Sequence, residues 1–290
     1  MSDTERDSDK LILEHARQRE KTFIYCLDNV NLDTQCPLDN GKHAYTEHGA
    51  SVGALNPLPL EITTAILLRL DLPSLTVFRR VNRRAMRLVD SLHEYGMVVK
   101  HCPNVLRAIL STNADAFDLT VLYKTLSTAN CHVCGMRARY LYLVTCKHVC
   151  ASCVLSQPLY SPVTEGQFKE LVRTVAGMPD ICMPDIQDVP YLVSVPGSYG
   201  YAQAGRISDR VKLLDYQVRV AARQGRDGMS ISNLGYSFYM STISAPTFDP
   251  TGQTAAWGIC CYACRAFSDE AKILYTEHDY LRHWKTHHAS

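Results

Sequence analysis

Net charge is almost absent from this chain: thirty basic against twenty-nine acidic residues leave +1 over 290 residues. No overall field therefore draws it to nucleic acid or to an anionic membrane. No window approaches the roughly 18 apolar residues that a membrane span needs. The opening "MSDTERDSDK" is polar and charged where a secretory leader would place a basic end and then an apolar run. The expectation is an intracellular protein of the cytoplasm, the nucleus or both, with no membrane partner. G-x-S-x-G, a phosphate-binding glycine loop, H-E-x-x-H and the H-x-E then P-C-x-x-C pattern of zinc deaminases are missing too. "GSYGYAQAG" has glycines without the G-x-G-x-x-G spacing and reads as a surface turn. There is no internal repeat and no long low-complexity tract.

Cysteine, by contrast, is plentiful. Twelve are present, five of them within the twenty-three residues Cys131 to Cys153. Thiols stay reduced inside cells, so this clustering points to metal ligands rather than to a disulfide framework. Cys131, Cys134, Cys150 and Cys153 form C-x2-C-x15-C-x2-C, two tight turns that can close a tetrahedron of four thiolates around Zn2+. Cys146 and His148 lie inside the same loop as alternate ligands. A RING arrangement is rejected, because the His-to-Cys spacing is too short and the further cysteine pair of a cross-braced second site is absent nearby.

A second cluster closes the chain. Cys261, Cys264, His283 and His287 give C-x2-C-x18-H-x3-H, with both histidines one helical turn apart. Tyr280 and Phe267 are spaced to form a small core behind the metal, and Cys260, His278 and His288 are alternates. The loop is longer than in a DNA-reading finger, the helix carries Glu277 and Asp279, and no second finger follows in tandem, all of which argue against a nucleic-acid partner. Each cluster offers four or more ligands where a catalytic zinc keeps an open position. Two structural zinc ions and no enzymatic activity are expected.

Along the chain, residues 1–55, with ten acidic and six basic side chains in the first fifty, read as a mostly disordered tail in which "LILEHARQREKTFIY" could form one helix. From Asn56 to about residue 97 apolar residues recur at helical spacing. Asn56 is placed to cap a first helix with Pro57 or Pro59 in its first turn, Pro73 ends it, Ser74 caps a second, and Ala85, Leu88, Val89 and Leu92 face a third. Residues 98–128 read as a helical linker region, 129–160 as the four-cysteine knuckle around strand-like "RYLYLVT", 161–255 as an α-rich middle region in which "RISDRVKLLDYQVRVAARQG" is helical, and 256–290 as the Cys/His finger. The fold class expected is mainly α, with an irregular α+β region held by two zinc-finger-like sites. Three helices of about ten residues cannot bury their stripes alone and need a partner surface.

Leu58-Pro59 with Glu61-Ile62, then Leu67, Leu70, "DLPSL", Val81 and Asn82 resemble an F-box, the helical module by which substrate receptors dock on the Skp-type adaptor of cullin-RING ubiquitin ligases. "YLYLVTCKHVC", "PGSYG" with "GRISDR", and "YTEHDYLRHWKTHH" look like the fungal-type F-box proteins that carry zinc-binding clusters downstream. The resemblance implies a three-helix module binding the adaptor, and through it a cullin, by way of Leu58, Pro59, Ile62, Leu67, Leu75 and Val81, with an unknown protein substrate held by the remainder. Where such proteins often end in a cysteine, this one has His287. The competing reading is a zinc-dependent nucleic-acid-binding or transcription-related protein, with "RRVNRR" as its basic patch.

Overall fold

The computed structural model describes residues 9–14, 24–39, 51–175, 185–201, 205–215, 237–249, 251, 253–265 and 273–288. From Leu60 to Leu126 six helices follow one another: α1 Leu60–Leu67, α2 Leu72–Arg79, α3 Arg83–Asp90, α4 His93–His101, α5 Pro103–Thr112 and α6 Leu119–Leu126. Side chains just outside the helices set several starts. Asp71 Oδ1 accepts from the Ser74 N–H at 2.7 Å, Asn82 Oδ1 from Ala85 at 2.9 Å, and Asp118 Oδ1 from Val121 at 2.7 Å, each satisfying a donor the helix leaves open. Two expected caps are thereby corrected. Asp71, not Ser74, caps α2, with Pro73 in the first turn where its missing N–H costs nothing. Asn56 instead ends a 3-10 turn at Gly53–Leu55, and α1 begins after Pro59.

The partner surface that α1–α3 require is the rest of the chain. Leu67, Leu72, Leu75 and Val89 belong to one continuous core running through α4–α6 and on to Ile243 and Phe248. The start of α6 is fastened to the α1–α2 turn, where the Leu119 N–H donates to the Leu70 carbonyl and Thr120 Oγ1 to the Leu68 carbonyl at 3.0 Å.

Beyond α6 the chain turns to short antiparallel strands. Tyr140–Tyr142, the strand read in "RYLYLVT", is central in a three-stranded sheet, with Leu141 opposite His148 on one side and Ile243 on the other. All three of its residues are buried, as a central strand covered on both faces must be. Two helices follow, α7 Ala151–Ser156 and α8 Glu165–Val175. "RISDRVKLL" is extended rather than helical: Gly205–Ile207 pairs with Gly197–Tyr201, and Lys212–Leu214 lies between Val163–Thr164 and Tyr191–Val193. Leu213 and Leu214 are neighbours and both fully buried, which suits a strand enclosed on two faces better than a surface helix. The remainder of that expected helix, residues 216–225, lies outside the described residues, as does Phe267. The class is therefore mixed α+β rather than mainly α.

The expected disordered tail is also corrected in its described parts. Cys26, Leu27 and Leu32 enter the main core, and Asp28 Oδ2 accepts from the Ser244 N–H at 2.8 Å. Residues 9–14 form a helical turn whose Ile12 and Leu13 pack on Ile259, Cys261 and Tyr280 at the other end of the chain.

Candidate functional site

The first centre grows out of two knuckles flanking the central hairpin. In Cys131–Gly135 the chain folds back so that the Gly135 N–H donates to the Cys131 carbonyl, and Gly135 has φ +73°, a backbone region that suits glycine. In the second knuckle Cys150 caps α7, its Sγ accepting from the Cys153 N–H at 3.4 Å. The Sγ atoms of Cys131, Cys134, Cys150 and Cys153 all lie within 4.8 Å of one another, with Cys134 and Cys150 3.5 Å apart. That is too far for a disulfide. It fits a tetrahedral metal with bonds of about 2.3 Å, whose sulfurs stand about 3.8 Å apart. Burial raises the Cys131 thiol, but N–H groups of Cys134, Cys150 and Val133 outweigh it and hold it at about 7. Burial pushes Cys150 up to about 11, so metal binding there must displace a proton.

The two alternates inside the loop stand apart from this group. Cys146 sits in the left-handed region (φ +52°), is buried, and its carbonyl accepts from Thr125 Oγ1 at 3.2 Å. His148 is buried in its strand, with Nδ1 2.8 Å from the Thr128 carbonyl. Burial holds its imidazole below its ordinary value, which keeps the ring neutral and a donor to that carbonyl. Both are core residues.

The second centre is gathered by the strands Ile259–Cys260 and Leu274–Tyr275 and by α9, Glu277–His287. Thr276 starts α9 by accepting from the Asp279 N–H at 3.1 Å. Cys261, Cys264, His283 and His288 come together: His288 Nε2 is 3.3 Å from both sulfurs, and His283 Nε2 is 3.2 Å from Cys264 Sγ. His288 replaces His287 as the fourth member. The helix ends at His287, and His288, no longer helical, turns its ring back under the knuckle. The resulting H-x4-H lies within the same spacing class as H-x3-H, so a second histidine one step on was the available signal. Tyr275 stacks on the His283 ring at 4.8 Å, and Trp284 lies 5.1 Å from the His288 ring. Cys260 points elsewhere, with Arg139 Nη1 3.6 Å from its sulfur. His278 is exposed beside Asp279. The two soft sulfurs and two imidazoles of this group suit zinc as the four thiols do.

The third feature is a surface. α1 is apolar on two sides: Thr63 and Leu67 face the core, while Ile62 (50% exposed) and Ile66, one turn apart, face outward; Leu60 lies on the Leu67 stripe but is exposed at the helix start. Leu58 and Pro59 precede it at the surface, and Val81, past the end of α2, is 65% exposed. The six expected adaptor contacts thus divide. Leu58, Pro59, Ile62 and Val81 are accessible. Leu67 (1%) and Leu75 (0%) are core residues, drawn inward because they occupy the stripes that meet α4–α6. Leu60 and Ile66 are also exposed, though the expected contacts did not include them.

No curated protein and no solved structure matched this chain. One family model did, over residues 55–95, which hold α1–α3 and the start of α4. With the caps, the buried stripe and the outward apolar strip in place there, these residues are an F-box domain.

Proposed function

We propose that this chain is the substrate-receptor subunit of an SCF-type cullin-RING ubiquitin ligase, non-catalytic itself, acting in the cytoplasm or nucleus. The observation that carries the reading is that Leu58, Leu60, Ile62, Ile66 and Val81 are apolar and exposed on a module whose core-facing side chains Leu67, Leu72 and Leu75 are already buried. F-box domains dock on Skp-type adaptors, and an apolar strip on a helix is what a groove on such a partner covers. The cullin would join through the adaptor. The remainder, stapled by zinc at the two Cys/His groups, would present the target protein. Zinc there would supply folding free energy, on the order of 10 kcal/mol per site, held by Cys131, Cys134, Cys150 and Cys153 and by Cys261, Cys264, His283 and His288.

The nucleic-acid alternative draws less support. Its basic patch is partly spent on internal contacts: Arg79 is held by Asp90 and Asp39, and Arg83 also has a partner.

Co-purification with a Skp-type adaptor tests the reading. Ile62→Asp with Val81→Asp, both at the surface, should weaken adaptor binding by at least about tenfold, since central apolar anchors carry about 2 kcal/mol or more apiece. Metal content should stay at two per chain. A wild-type chain that binds no adaptor at micromolar concentration, or a double variant that binds as well as wild type, would overturn it.

A further inference from the structure

A cleft of about 940 Å3 opens between α2, α4, α5 and the segment Gln35–Asp39. Its lining includes no member of either Cys/His group and none of Leu58, Leu60, Ile62, Ile66 and Val81, although Arg80 adjoins Val81 in the chain. Two helix stripes form its walls. Pro73, Thr76, Val77 and Arg80 follow one another at i, i+3, i+4 and i+7, so they fall on one face of α2 and its continuation. Gly96, Val99 and Lys100 do the same on α4. Val77 is 68% exposed and Val99 is also open to solvent, so each wall offers an aliphatic contact that the fold does not use.

The charges in the cleft do not cancel. Arg79, Arg80 and Lys100 stand against Asp39 and Asp90, three cations to two carboxylates. Arg79 consumes both acids: its Nε and Nη2 donate to Asp90 at 2.7 and 3.0 Å, and its Nη1 to Asp39 at 2.8 Å. Arg80 and Lys100 are exposed, and none of the described ion pairs takes up either one. Gly96 is a further anomaly. It sits inside α4, where glycine costs roughly 0.5–1 kcal/mol against alanine. Its φ is not positive, and a Cβ built on it meets nothing within 4 Å. The fold of this chain does not require a glycine there, whereas the close approach of another backbone would.

We infer that the cleft binds a peptide segment of the target protein carrying aliphatic side chains beside an acidic one. The aliphatic groups lie on Val77 and Val99, the carboxylate meets Arg80 and Lys100, and the peptide backbone passes over Gly96. The inference rests on the receptor reading and gives that receptor a substrate class.

The test uses the full-length protein and two fluorescent peptide pools of equal length. Both have leucine at helical spacing; one places glutamate, the other lysine, at the variable charged positions. Anisotropy should show the glutamate pool binding, more weakly as salt is raised, and the lysine pool not binding. Gly96→Leu, which fills the groove, and Lys100→Glu, a surface change that spares the fold, should each weaken the glutamate pool about tenfold or more, with metal content and adaptor co-purification unchanged. The inference is wrong if neither pool binds, if both bind alike, or if both variants bind like wild type. It is equally wrong if these variants lose the adaptor instead, since the cleft would then belong to the adaptor. Acidic peptide bound by a chain that captures no adaptor would uphold the cleft and sink the receptor reading.

Discussion

The two Cys/His groups that could hold a metal use similar donors but stand in different relations to the fold. Around the first, ligand-bearing backbone is woven into the main core: the His132 N–H donates to the His148 carbonyl at 2.9 Å, and the Arg139 N–H to the Val149 carbonyl at 3.1 Å. Cys131, Cys150 and Cys153 are themselves members of that core. The second has a separate core of Ile259, Cys261 and Tyr280, supplemented by Ile12, Leu13, Tyr275 and Trp284. A cluster that small cannot offset the chain entropy of the residues it orders. The difference teaches that a metal held at the first group would fasten a structure that largely holds itself, and one held at the second would supply most of the structure.

The largest effect should come from separating the two. Cys150→Ser should remove one metal and leave the Cys131 and Cys153 thiols unligated in the main core, so the main unfolding transition should lose about 3 kcal/mol or more, about 10 °C in melting temperature. Cys264→Ser should also remove one metal, yet leave that transition within about 1 kcal/mol of wild type. Its effect should be local, a loss of amide protection over Ile259–Cys260 and α9 and over residues 9–14. Metal analysis, calorimetry and hydrogen exchange on the two variants decide. If Cys264→Ser also lowers the main transition, the two centres are not separate.

That contrast marks what could be read from residues alone. C-x2-C-x15-C-x2-C is a local constraint, because the turn between each pair brings its sulfurs together whatever surrounds them, and the structure assembles those same four residues. The strand in "RYLYLVT" was legible for a similar local reason. Leu67 and Leu75 were not. Periodicity places a leucine on a stripe but does not say whether that stripe meets this chain or another. The same limit hid the packing of Ile12 and Leu13, whose partner lies at the opposite end of the sequence. His287 failed over one residue, since spacing cannot tell where a helix will stop. "RISDRVKLL" failed because short apolar runs satisfy helix and strand periods alike.

A smaller effect sharpens the chemistry of the first centre. Because Cys131 is held at about 7 in the folded chain, below its ordinary value of 9.0, its thiolate favours the folded state. That contribution is fully present above pH 9 and is lost as pH falls through about 7. Metal needs the thiolate, so protein stripped of metal should rebind it with a pH dependence that steepens below about 7, Cys131 then adding about tenfold, or 1.4 kcal/mol, per pH unit. Cys150, pushed up to about 11, contributes an even slope on both sides of that break. Competition with a chromophoric chelator from pH 6 to about 9 measures it, on Cys264→Ser protein so that only the first centre reports. A slope with no break near 7 would mean that the N–H groups of Cys134, Cys150 and Val133 do not hold the Cys131 thiolate.

The smallest effect concerns what joins the second centre to the start of the chain. Lys285, on α9, places Nζ 2.8 Å from Asp9 Oδ1, with Lys285 half-exposed and Asp9 mostly covered. Such a partly exposed pair contributes about 0.2–1 kcal/mol. Lys285→Ala should therefore raise the opening of residues 9–14 only about 1.4- to fivefold, read as faster amide exchange there. Exchange at Tyr140–Tyr142 should not change, and two metals should remain bound. Raised salt should reproduce part of the effect on wild type, because screening acts on the same pair. The apolar contact of Ile12 and Leu13 does not depend on salt, so Ile12→Asp should open the segment further than Lys285→Ala does. If Lys285→Ala leaves exchange at residues 9–14 unchanged while Ile12→Asp accelerates it, the two ends of the chain are held by apolar packing alone, and the second centre depends on that distant segment only through its small core.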